Sequence, residues 1–175
     1  MKILIINGSA RKGNTFACVS AFAKGAAAAN EVEILEADKL NIRGCKGCEA
    51  CGCTKGCVAG DDTNPVVDRI VAADLVVFAS PVYWWGVTAQ LKTVIDKCYC
   101  RGAHLKGKKI GLIVCGGAET DDEEYVLIRR QFELISEYLS WDMQFFRSYY
   151  ACGRDDVAGR PEVLAELEAL GAACR

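Results

Sequence analysis

The sequence predicts an α/β protein built on a doubly wound parallel sheet with helices on both faces. Three observations predict it. The runs Met1–Ile6, Ala73–Ala79 and Lys109–Cys115 are nearly continuous apolar stretches, as strands buried on both faces require. Each is followed by a turn of glycine, serine or threonine and then by apolar residues at helical spacing. No repeat, linker or low-complexity tract interrupts the alternation, so the 175 residues read as one domain, 1–175, with a cysteine-rich insertion at about 44–62.

The elements follow in order. Ile3, Leu4, Ile5 and Ile6 give the first strand, and Phe16, Val19, Phe22, Ala23 and Ala26 mark a helix that stops near Asn30. Glu31–Ala37 mixes Val32, Ile34 and Leu35 with acids, as an edge strand allows. Asn64–Pro65 starts a helix, proline being tolerated in the first turn, and Ala73–Ala79 is the third strand. Thr88 caps a helix carrying Leu91, Val94, Ile95 and Cys98 on one face. Lys109–Cys115 is the fourth strand and ends in Gly116–Gly117; the acids Asp121 to Glu124 then suit a helix N-terminus. Trp141–Tyr150 is the last strand, and Pro161 opens the final helix.

Composition narrows the function. With 51% hydrophobic and 25% charged residues the chain reads as soluble, and its apolar runs are too short to span a bilayer. A net charge of −2 supplies no basic field, which argues against nucleic acid as a partner. The 11 cysteines, with no signal-peptide pattern in Met1–Ala10, point to thiols, metal ligands or redox chemistry in a reducing, cytoplasmic setting. The single histidine, His104, has no nucleophile motif around it and reads as an exposed loop residue.

In a doubly wound sheet the ligand lies beyond the carboxyl ends of the strands. The segments expected there are Gly8–Thr15, Ser80–Gly86 and Cys115–Thr120. The first, within NGSARKGNT, combines two glycines, the hydroxyls of Ser9 and Thr15, the charges of Arg11 and Lys12, and a helix N-terminus at Asn14. It reads as a cradle for a terminal phosphate monoester or as an ordinary capped turn. It lacks the lysine of a nucleotide-triphosphatase loop, because Asn14 stands in that place, and it is not G-x-G-x-x-G. In the second, SPVYWWG, three adjacent aromatics at a strand end cannot all face the core; they fit a planar heterocycle or helix-end packing.

Between the second strand and the next helix lies CKGCEACGCTKGC. Cys45, Cys48 and Cys51 are each separated by two residues, Cys53 and Cys57 follow, and Gly44, Gly47, Gly52 and Gly56 let a short loop wrap around an ion or cluster. The residues alone leave an iron–sulfur cluster, structural zinc and free thiols open, as they do the choice of fourth ligand. Cys18, Cys98, Cys100, Cys115, Cys152 and Cys174 read as small packing residues.

NGSARKGNT, SPVYWWGVTAQLKTVIDK and Gly116–Gly117 together resemble the flavodoxin-like NAD(P)H-dependent FMN reductases and their iron–sulfur flavoprotein relatives, over nearly the whole chain. The resemblance implies a three-layer sandwich with strand order 2-1-3-4-5. It implies FMN, with its phosphate on Ser9, Arg11, Gly13, Asn14 and Thr15. The ring would lie along Pro81, Val82, Tyr83, Trp84, Trp85 and Gly86, with Cys115, Gly116 and Gly117 on its far side. It implies a 4Fe–4S cluster on Cys45, Cys48, Cys51 and Cys57, and a homodimer or dimer of dimers. The activity implied is NAD(P)H-dependent reduction of a flavin, a quinone or a redox protein, with no catalytic side chain needed because the flavin accepts the hydride. The alternative is a non-enzymatic FMN electron carrier, against which the weak charge bias counts.

Overall fold

A computed structural model describes residues 1–175. Its five strands are β1 (Lys2–Asn7), β2 (Glu31–Glu36), β3 (Leu75–Pro81), β4 (Lys109–Gly116) and β5 (Asp142–Tyr150), all parallel, in the order β2-β1-β3-β4-β5. This is the expected strand order, with β2 at an edge. The helices are α1 (Asn14–Ala26), α2 (Thr63–Ala72), α3 (Ala89–Lys97), α4 (Glu123–Leu139) and α5 (Pro161–Ala172).

Strand alternation builds two cores. Leu4, Ile6, Val76, Phe78, Leu112 and Val114 face α2, α3 and α4, where Ile70, Leu91, Val94, Ile128 and Phe132 meet them. Ile3, Ile5, Val77, Ile113 and Cys115 face α1 and α5, against Cys18, Val19, Phe22 and Leu167. Both faces of the three inner strands are therefore dry, and the sheet is covered as its apolar runs demand.

Boundaries depart from the sequence reading where side chains intervene. Helix α1 ends at Ala26 rather than Asn30, because the Asn30 amide donates to the Ala26 and Cys174 carbonyls, each at 2.9 Å. Strand β3 runs two residues later than expected, Leu75–Pro81, since Ala73 and Asp74 are taken up by the α2 turn and by Lys2. Trp141 stays outside β5 because its indole N–H donates to the Leu105 carbonyl.

Helices α1 and α5 cross at glycines. A Cβ at Gly25 would stand 1.8 Å from the Glu168 carbonyl oxygen, and one at Gly171 would stand 2.1 Å from that of Phe22. Backbone cannot yield to such an overlap. Gly25→Ala, which would favour an isolated helix by about 1 kcal/mol, is expected instead to destabilise this fold by about 1–3 kcal/mol through overpacking. Denaturant midpoints at constant slope measure it.

Candidate functional site

The first strand-end loop is folded by its own side chains. The Ser9 N–H donates to Asn7 Oδ1 at 3.1 Å, and the Ser9 hydroxyl donates to the Arg11 carbonyl at 2.9 Å. Thr88, the α3 cap, donates from Oγ1 to the Gly8 carbonyl at 2.8 Å, and its N–H donates to Ser80 Oγ at 3.0 Å. One buried threonine thus ties the first loop to the second. Sequence reading saw Thr88 only as a helix cap; its reach back to Gly8 is a tertiary contact with no local signal.

Helix α1 starts at Asn14 with Gly13 as its cap residue and no side chain on its exposed amides. The N–H groups of Asn14, Thr15 and Phe16 have no acceptor, and Arg11 and Lys12 lie exposed beside them. This is the donor set a phosphate needs. The side chain of Asn14 is not part of it. Its Nδ2 donates to the Gly153 carbonyl at 2.6 Å and its Oδ1 accepts from the Val157 N–H at 2.9 Å, so it fastens the segment before α5. Asn14 therefore offers the site its backbone alone, and the Ser9 hydroxyl shapes the loop from within.

In the second loop Pro81 closes β3, and the Val82 N–H donates to the Cys115 carbonyl at 2.7 Å. Tyr83 and Gly86 exchange N–H···O bonds of 2.9 and 3.2 Å around Trp84 and Trp85, whose φ values are 50° and 60°. This is a two-residue turn of the kind usually made by Asn-Gly, here filled by two tryptophans. Trp84 is 91% exposed and Trp85 56%, with their rings edge to face at 5.5 Å. Holding two bulky side chains there stores backbone strain of order 1–3 kcal/mol each.

The third loop is Gly116–Gly117; Cys115 does not join it as expected. Alternation along β4 turns the Cys115 thiol toward α1, where it lies 3.5 Å from Cys18, and that contact together with burial pushes the Cys18 thiol up. The pair is a packing contact under the sheet. On the cofactor side the Glu124 Oε1 atom is buried without a partner, close to where a side chain on Gly116 would stand. Gly117, by contrast, has open space where a side chain would stand, which leaves room for a planar ligand at this edge. Together with the free α1 amides, it makes the three loops a fit for FMN.

The cysteine segment forms a second centre. Cys45, Cys48, Cys51 and Cys57 line one cavity of about 230 Å3, with Lys97, Tyr99 and Cys100. Cys53 does not line it; that residue lines a separate cavity beside α4. Cys57, not Cys53, therefore shares a cavity with Cys45, Cys48 and Cys51. Cys100, read from sequence as packing, is a fifth thiol on the cavity, and Cys152 is exposed rather than packed. No three of these side chains approach closely enough to hold a single ion. Four thiols around an open cavity instead suit a multinuclear group.

The loop is fixed by polar clamps. Asn64 pairs with both backbone groups of Cys57, accepting its N–H at 2.7 Å and donating to its carbonyl at 2.8 Å. Gly56 has φ +89°, and a Cβ there would meet Asn64 Oδ1 at 2.6 Å and Arg101 at 2.7 Å, so glycine is required. Asp62 accepts the Asn41 N–H at 2.7 Å, and Asp61 accepts from Arg43 and from the Thr63 hydroxyl, closing the base of the loop. The largest cavity, about 880 Å3, lies elsewhere, between α3, residues 98–104 and α4. It is mostly apolar and has none of the free amides of the α1 start. His104 is exposed, as expected.

Residues 1–134 match the family described as NADPH-dependent FMN reductase. An iron-sulfur flavoprotein of Archaeoglobus fulgidus is 32% identical over 130 residues, which cover 71% of this chain and 64% of that one. This chain thus spans less than two thirds of that relative's length. An iron-sulfur flavoprotein of Methanocaldococcus jannaschii is 30% identical over 150 residues, covering 79% of this chain and 74% of its own. Among solved structures, an NAD(P)H:quinone oxidoreductase from Methanothermobacter marburgensis superposes with TM-score 0.75 at 18% identity, covering 100% of this chain and 99% of its own. A flavodoxin from the domain Archaea gives 0.61 at 13% identity, covering 98% and 94%. The fold is flavodoxin-like.

Asp61 lends the cysteine loop a pH dependence. Burial acts to raise its carboxyl, but hydrogen bonds from the Thr63 hydroxyl and from the Arg43 and Thr63 amides, with the charge of Lys97, bring it down from 3.8 to about 2. A carboxyl held lower in the folded chain stabilises it when ionised. That contribution is complete above about pH 4 and is lost as pH falls through about 2. Asp61→Asn is expected to lower the thermal midpoint at neutral pH, with the gap to wild type closing between those two pH values. A gap that stays constant across that range contradicts the assignment.

Proposed function

The chain belongs to the NADPH-dependent FMN reductase family, and on that premise we propose an FMN-containing oxidoreductase that takes electrons from NAD(P)H and delivers them to a flavin, a quinone or a similar acceptor. The observation that carries this reading is the meeting, at one sheet edge, of the uncapped α1 amides, the aromatic turn and the Gly116–Gly117 loop. No helix of the chain is long and apolar enough to cross a membrane.

In this reading the Asn14, Thr15 and Phe16 N–H groups take the FMN phosphate, and Arg11 adds its charge. Ser9, Asn14 and Thr88 hold those amides in place from behind. Pro81, Val82 and Tyr83 flank the ring, and Gly117 gives it room. Bound FMN supplies the hydride acceptor, so these residues orient it and exclude water rather than carry protons. Trp84 and Trp85, exposed on a strained turn, form the wall against which the planar acceptor stacks.

The cysteine cavity extends the reading. Cys45, Cys48, Cys51 and Cys57 would hold a 4Fe–4S cluster, a group that supplies one-electron transfer. Two features support it: the shared cavity, and relatives described as iron-sulfur flavoproteins.

Two measurements test the proposal. FMN is expected to bind the flavin-free protein about 100-fold more tightly than riboflavin, a difference of about 3 kcal/mol for charge-assisted bonds to the phosphate. Equal affinities, read by quenching of flavin fluorescence, would remove the phosphate site. After anaerobic reconstitution, Cys57→Ser is expected to lose the iron and sulfide that Cys53→Ser retains, because only Cys57 lines the shared cavity. The reverse pattern would assign the fourth ligand to Cys53.

A further inference from the structure

Lys97, the last residue of α3, is 4% exposed and is the only buried lysine or arginine of the chain. Its Nζ lies 3.4 Å from Cys57 Sγ and 3.9 Å from Asp61 Oδ2. The Asp61 side chain is itself 2% exposed and already accepts from Arg43 and Thr63. The other charged groups on the cavity are accounted for differently. Asp96 is paired with Lys92 at 2.6 Å, Arg43 is occupied by Asp61 and the Ala59 carbonyl, and Lys46 and Glu49 are exposed.

A buried ammonium is costly unless something negative answers it. Packing alone gives no reason for one here, since methionine would fill the same path along α3. The carboxylate that faces it stands at the outer limit of an ion pair, while the Cys57 sulfur lies closer, at 3.4 Å. The charge is therefore aimed at the thiol cavity.

We propose that Lys97 is a positioning residue for the cluster, its ammonium donating to the Cys57 sulfur and raising the reduction potential of the bound group. The inference rests on the reading that the four cysteines hold a 4Fe–4S cluster. The physical reason is charge. Reduction adds one electron to a group held by four thiolates, and a fixed positive charge with an N–H···S bond stabilises the more negative state more than the oxidised one. The low-exposure setting keeps solvent from screening that difference.

The test uses the anaerobically reconstituted holoprotein of wild type, Lys97→Met and Lys97→Arg. Iron and sulfide are counted per chain, and the midpoint is read by an EPR-monitored redox titration. Lys97→Met is expected to shift the midpoint to a more negative value, and Lys97→Arg, which keeps the charge, to return it toward wild type. A Lys97→Met midpoint equal to that of wild type overturns the proposal. Should Lys97→Met fail to fold, wild-type protein grown with heavy-nitrogen lysine decides instead: spin-echo modulation of the reduced cluster from a lysine nitrogen is expected, and its absence overturns the assignment. A wild-type protein that takes up neither iron nor sulfide overturns the cluster reading itself, a result distinct from a loaded cluster whose midpoint ignores Lys97.

Discussion

The parallel register of β1, β3 and β4 decides where every other functional part can stand. Ile3 pairs with Leu75 and Leu75 with Lys109, so the three strands begin level; Asn7 pairs with Ala79, and β3 and β4 run on side by side to Pro81 and Cys115. Three chain reversals are then forced into one small area, whatever residues they contain. The two apolar cores fix that register, because a slip of one residue in β1 would turn Leu4 and Ile6 from the α2–α4 core into the α1–α5 core. The site is therefore a consequence of burial, and its polar atoms are arranged afterwards.

The two centres are made by different means. At the α1 start the useful groups are backbone amides left over by helix geometry, so side chains there are free to do structural tasks: Ser9 binds its own loop and Asn14 holds the segment before α5. In the cysteine segment the useful groups are side chains, and the backbone must be held by others. Asp61 and Asp62 close the base, Asn64 fixes Cys57, and Arg101 reaches the Thr54 carbonyl at 2.8 Å. An irregular stretch of this length without such clamps would not hold four thiols around one cavity.

That division explains what was legible in the sequence. Continuous apolar runs, glycine turns and the Thr88 cap are local signals, and they gave the strands, the helices and the three strand-end loops within a few residues. The first strand-end loop was visible as a composition, but the hydrogen bonds of Asn14 to Gly153 and Val157 join residues far apart in sequence, and no spacing announces them. Cys115 sits at the end of β4, and only the sheet's alternation shows that its thiol turns toward α1 and Cys18. That Cys57 lines the cavity of Cys45, Cys48 and Cys51 while Cys53 lines another is likewise a tertiary fact that no spacing announces. Lys97 gave no signal either. At the end of an amphipathic helix a lysine reads as solvated, and only the packing of the cysteine segment over α3 buries it.

Helix α3 joins the two centres. Its cap, Thr88, holds the Gly8 carbonyl of the first strand-end loop, and its last residue, Lys97, touches the sulfur of Cys57. Nine residues at about 1.5 Å each separate those ends by about 14 Å. Leu91 and Val94 are buried against the sheet throughout, so the helix cannot shift one end without the other. A tight cap and a buried cation on one short, rigid element thus hold the first strand-end loop and the cysteine loop at a constant separation.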